Sequence, residues 1–224
     1  MSKKQIIIFS IIILGVLGAI FYTNYFKTSK TFQPWGDKYS DFQISPDKKY
    51  VATTEKSSDL SKQILTLLNN DNSETIIKTF SLSDLNIPNN EAAIWTLAWS
   101  EQNKLWIRAQ MGRQIISLIS FEEPNFLPQQ YNLESENVTT CDFAFNVEQE
   151  VLVFSDFCPS DTLDLEDAVK NKTKTTLYLY DLKTQNKRVV AEAVAKEFLP
   201  VWVDDQTVEY NDPNSDSREK QSIN

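Results

Sequence analysis

Four stretches of this 224-residue sequence repeat one pattern, and the repetition restricts the possible folds more than any other feature. They are Phe42–Ala52, Leu97–Ile107, Phe143–Val153 and Pro200–Tyr210. In each, two apolar residues at i and i+2 precede a polar tetrad, and a strand-forming run follows. Extended backbone turns i and i+2 to the same sheet face, and the polar tetrad suits a hairpin turn. The anchor residues Ile44, Trp99, Phe145 and Trp202 recur after 55, 46 and 57 residues. Equivalent positions of a repeat share an environment, so all four anchors are expected in the core.

A second hairpin follows each of the first three. Gln63–Leu68 turns at Asn69–Asn72 into Thr75–Phe80, and Gln114–Phe121 passes through a Pro-containing loop toward Gln130–Leu133. Thr176–Tyr180 turns at Asp181–Asn186 into Lys187–Val190. Two hairpins per unit are the four strands of a propeller blade. The fold class expected is therefore all-β, a propeller-like repeat of four-stranded antiparallel blades, partial or open. A lone hairpin at Phe198–Tyr210 leaves a fourth blade half built. Its unpaired edge must be covered, either by Thr31–Trp35 or by another chain through β-augmentation. One short helix is expected at Thr162–Lys170, capped by Asp161, with Asp164, Glu166 and Asp167 near its positive end.

Ahead of the repeats, Ile6–Phe26 is 21 residues without a charge, preceded by Lys3 and Lys4. At 1.5 Å per residue this is about 30 Å, one bilayer core. The expected organisation is a cytoplasmic tail at 1–5, a transmembrane signal anchor at 6–26, a juxtamembrane linker at 27–40, the β-domain at 41–210 and a disordered tail at 211–224. A short basic tail before a long polar domain puts that domain outside the cytoplasm, in a single-pass cell-membrane protein. The alternative is a cleaved signal peptide, although the apolar run continues past its one usable cleavage site.

Composition removes several chemistries. With no His there is no Ser-His-Asp triad and no His-ligated metal, and four glycines, two of them in the apolar run, build no phosphate-binding loop. No catalytic set, metal site or cofactor is expected. A formal net charge of −9 opposes nucleic acid as a partner. Cys141 and Cys158, the two cysteines, form either a disulfide or two separate buried thiols. The acidic stretch from Asp156 to Asp167 reads as a solvated insertion. Trp99 and Trp202 occupy anchor positions, whereas Trp35, Trp95 and Trp106 are less constrained. With Arg108 and Arg113 they are the weak candidates for a ligand surface, the competing reading being packing between blades.

Ile44-Ser-Pro-Asp-Lys-Lys-Tyr-Val-Ala resembles the Ser-Pro-Asp-Gly-Lys turn of TolB-like and WD-repeat-like propellers, and Leu177-Tyr-Leu-Tyr-Asp-Leu-Lys-Thr-Gln-Asn-Lys is similar to that family's second hairpin. The resemblance covers residues 40–210, about three and a half blades. Lys48 and Gln185 stand where the family commonly has Gly. It implies a stiff binding surface, so the expected function is that of a membrane-anchored, extracytoplasmic scaffold for a protein or peptide partner. The alternatives are a carboxylate-dependent hydrolase acting on glycans and an accessory subunit of a membrane complex.

Overall fold

A computed structural model of the chain describes residues 39–55, 63–71, 75–88, 92–157 and 162–223. The expected membrane segment at 6–26, Thr31–Trp35, Cys158 and the Asp161 cap lie outside the described residues. Among the described residues, no helix is long and apolar enough to cross a membrane.

The repeats become four antiparallel sheets, each with its strands in sequence order. The first blade contains β1 (Tyr39–Ile44), β2 (Tyr50–Glu55), β3 (Ile64–Asn69) and β4 (Ile76–Ser81). The second contains β5 (Ala92–Trp99), β6 (Leu105–Met111), β7 (Gln114–Glu122) and β8 (Leu127–Asn132). The third contains β9 (Phe143–Asn146), β10 (Val151–Ser155), β11 (Lys174–Asp181) and β12 (Asn186–Val194), with helix α1 (Thr162–Lys170) between β10 and β11. The fourth holds β13 (Val201–Asp204), β14 (Thr207–Asn211) and β15 (Arg218–Ser222).

Two boundaries need correction. β1 begins at Tyr39, inside the expected linker. The expected disordered tail carries β15, which pairs with β14 from Thr207↔Ser222 to Asn211↔Arg218. Arg-Glu-Lys-Gln-Ser has no apolar periodicity because it forms an edge strand. Its position is fixed instead by Arg218, which donates to Glu209 Oε1 at 2.6 Å and to the Leu199 carbonyl at 3.0 Å. Among the described residues the fourth blade thus has three strands, not the two of a lone hairpin.

Short polar side chains close the turns. Asp47 Oδ1 accepts the Lys49 N–H at 3.0 Å, Asn146 Oδ1 the Glu148 N–H at 3.0 Å, and Asp204 Oδ1 the Gln206 N–H at 2.8 Å. Lys48 and Gln185 adopt φ of 63° and 58°, so the left-handed conformation is kept at both positions without glycine.

The blades stack through their faces. The leading face of a blade is here the one turned toward the preceding blade, and the trailing face the one turned toward the next. Trp99, Leu105 and Ile107 lead the second blade against Ala52, Leu65 and Leu67 of the first. Phe145, Leu152 and Phe154 lead the third against Trp106 and Leu118 of the second. Trp202, Val208 and Tyr210 lead the fourth against Val153, Leu177 and Leu179 of the third. The anchors therefore share a direction, but their burial is unequal. Trp99 is buried, while Ile44, Phe145 and Trp202 are half-buried. Val51, Thr53 and Leu68, on the leading face of the first blade, are buried.

A chain of contacts links the first turn of each blade to that of the next. The Asp47 N–H donates to Asn103 Oδ1 at 3.4 Å, the Glu101 N–H to Glu148 Oε1 at 2.7 Å, and Asn146 Nδ2 to the Asp205 carbonyl at 3.4 Å.

Candidate functional site

The weak ligand candidates of the sequence do not assemble into an accessible groove. Trp106 is fully buried, its ring edge-on to Phe145 at 4.9 Å. It belongs to the core because β6 lies inside an inner blade with both faces covered, which makes its alternation carry two apolar sets. Arg108 projects from the same face, 5.4 Å over the Phe143 ring, and Trp95 is its direct cross-strand neighbour. Both are half-buried between the second and third blades. Arg113 is exposed in the β6–β7 turn, where its carbonyl accepts the Thr140 N–H at 2.7 Å. Trp35 lies outside the described residues.

Hairpin register changes the geometry around Cys141. Phe145 pairs with Leu152, not with Glu150, and the Ser155 N–H donates to the Asp142 carbonyl at 2.9 Å. Extending this ladder one step brings Cys141 level with Asp156. Cys141 is disulfide-bonded, and Cys158 is the other cysteine of the sequence.

Two carboxylates do converge, but on a cation. Lys104 Nζ lies 2.9 Å from Glu122 and 2.8 Å from Glu150, between the second and third blades, and 4.9 Å over the Trp106 ring. Burial disfavours the ammonium form, yet Glu150 and Glu122 more than offset it and raise the lysine pKa. Lys104 thus ties Glu122 of its own blade to Glu150 of the third, and the two carboxylates share one ammonium rather than forming an acid and base pair. Among the described residues, no group of three or more His, Cys, Asp or Glu is arranged to hold a metal ion.

The unusual surface is the fourth blade. The linker into it is pinned from both sides. Asp142 of the third blade is buried and accepts the Phe198 N–H at 2.8 Å and the Leu199 N–H at 2.6 Å. From the fourth blade, the Asn211 N–H reaches the Phe198 carbonyl at 2.7 Å, and Lys196 Nζ reaches back to the Asp212 carbonyl. Burial pushes the Asp142 carboxyl up to about 6, against the pull of those two N–H donors.

So held, the blade presents a bare trailing face. Leu199, Val201 and Val203 are 45%, 52% and 45% exposed, an i, i+2, i+4 column of apolar residues in the sequence leading into β13. Next to it runs a polar row in which Glu209 meets Arg218 and, at 3.5 Å, Lys220. Sequence reasoning located the incomplete blade but not this face, since Val201 and Val203 alternate with Trp202 in a strand that reads as apolar throughout.

The junction behind this face also differs from the first one. Trp99 donates its indole N–H to the Gln43 carbonyl at 3.1 Å, whereas Trp202 Nε1 has no hydrogen-bond partner among the described residues. A cleft of about 270 Å³ opens there between the first turns of the third and fourth blades.

No family model matches the sequence, and no curated protein does. Among solved structures the chain is similar to TolB from Acinetobacter baumannii, at 10% identity and a TM-score of 0.45, over 83% of this chain and 41% of that one. It is similar to an acylaminoacyl peptidase from Pyrococcus horikoshii at 15% identity and a TM-score of 0.48, over 87% of this chain and 33% of that one. For an oligogalacturonate lyase from Vibrio parahaemolyticus the values are 14% and 0.45, over 77% and 45%. The chain spans less than half the length of each, and at these identities the likeness concerns the fold alone. Its four antiparallel sheets of three or four strands, each with its strands in sequence order, are consistent with a degenerate propeller.

Proposed function

We propose that this chain is a membrane-anchored, extracytoplasmic binding scaffold whose partner protein docks on the trailing face of the fourth blade. One observation carries the reading: Leu199, Val201 and Val203, at alternate positions, are all exposed, on a blade with three described strands where its neighbours have four. Elsewhere in the stack the corresponding faces are covered by the next blade. Burying such a column on a partner is favourable at roughly 25 cal/mol per Å² of apolar area. The charge-free run at 6–26 supports the anchor, and the disulfide at Cys141 supports an oxidising compartment. Lys220 and Arg218 on the outermost strand discourage indiscriminate pairing at its edge, so the face rather than the edge is the docking element.

Hydrogen exchange provides the test. In protein isolated from membranes with its partner, Val201–Tyr210 should exchange slowly, and after the partner is stripped away it should exchange fast. Equal and strong protection in both states would overturn the reading.

A further inference from the structure

The 270 Å³ cleft beside Trp202 lies below the roughly 300–1,000 Å³ usual for a small-molecule pocket, a size suited to a single side chain. Its walls are chemically one-sided. Trp202 and Phe145 supply aromatic surface, Glu148, Asp204 and Asp205 supply carboxylates, and among the described residues no basic side chain lines it. Lys220, whose charge reaches Asp204, is itself engaged by Glu209. Val203 lines the cleft as well and belongs to the exposed apolar column, so the cleft opens onto the edge of the proposed docking face.

We propose that this notch receives a basic side chain, the guanidinium of an arginine or the ammonium of a lysine, presented by the protein that covers the fourth blade. The inference rests on the docking reading and names the chemistry of that partner. A cation there gains the attraction of two aromatic surfaces together with carboxylate charge, an arrangement strengthened as docking excludes water. Half-burial of Trp202 then has a use: the ring that should close the junction is left to form a wall.

The probes are a capped arginine-containing tripeptide and its isosteric, uncharged citrulline counterpart, titrated calorimetrically into the full-length protein. The arginine peptide should bind about tenfold more tightly, and that advantage should shrink as salt rises. The Asp205→Asn, Glu148→Gln double variant should erase it. Both changes keep the hydrogen-bonding atoms, including the Glu148 acceptor for Glu101, and unchanged exchange of β9–β11 would verify the fold. Equal affinity for the two peptides, or an advantage that survives the double variant, overturns the notch. The docking reading has a separate readout, because Val201→Ser should release the partner without affecting peptide binding. If the peptides fail while Val201→Ser still releases the partner, only the notch is wrong. If they bind as expected while Val201→Ser leaves the partner in place, only the docking face is wrong.

Discussion

The junction between the first two blades and the junction between the last two are built from the same repeat, yet they are held by different forces. At the first, Trp99 stacks on Tyr50 with centroids 6.3 Å apart, meets Phe126 edge-on at 6.4 Å, and fixes its indole N–H on Gln43. Phe80 and Phe121 lie 4.9 Å apart beneath it, and the buried Gln63 side chain accepts the Ile94 N–H at 2.8 Å. At the last, Trp202 is half-buried without that bond, and a buried carboxylate, Asp142, ties the linker down. An apolar junction with neutral hydrogen bonds is insensitive to conditions. One that depends on a buried charge can be tuned by protons, and it suits the end of a stack that must meet something else.

The largest expected effect breaks the comparison directly. Trp99→Ala should cost about 3–5 kcal/mol in urea denaturation, as a fully packed tryptophan does, and Trp202→Ala only about 1–2 kcal/mol. Equal losses would mean that the two junctions are energetically alike despite their geometry.

Protonation sharpens it. Burial raises the folded pKa of Asp142 from the ordinary aspartate range to about 6, so the folded state holds this proton over a pH range in which the unfolded chain has released it. The associated stability is fully present below about pH 4 and is lost as pH rises to about 6, on the order of 3 kcal/mol in total. Other carboxylates, including Asp47 and Glu209, have lowered pKa values and work in the opposite direction on acidification. The signal is therefore the difference between the wild type and Asp142→Asn measured across that range. It should fall with rising pH and concentrate in exchange of the fourth blade, and a pH-independent difference would remove the proton-sensitive junction.

The smallest effect concerns turns rather than junctions. Lys48→Gly and Gln185→Gly should each be neutral or stabilise by up to about 1 kcal/mol, since both residues already hold a left-handed backbone. A clear loss in either would show that its side chain contributes more than the turn does.

How much of this was legible in the sequence depends on where the relevant information sits. Hairpins such as Ile44–Tyr50 and Leu177–Lys187 were readable because turn chemistry and alternation are local, and α1 occupies its expected residues, Thr162–Lys170. β15 was not readable, because an exposed edge strand needs no apolar face and takes its position from the contacts of Arg218 with Glu209 and Leu199 on other parts of the blade. Trp106 stayed open between a ligand surface and packing between blades because a single sequence does not distinguish a blade covered on one side from one covered on both, and the structure gives it the packing role. The exposure of Leu199, Val201 and Val203 was hidden for the converse reason, since a bare sheet face and a covered one have the same composition.

The shared direction of the anchors has a consequence for assembly. Each unit looks back at its predecessor, so the stack has a polarity, with one terminal surface buried at Val51, Thr53 and Leu68 and the other open at Val201 and Val203. Head-to-tail fibres need two complementary ends, each free to take the other. Among the described residues only the end at Val201 and Val203 is exposed, so identical copies of these blades have no matching pair of open ends through which to add.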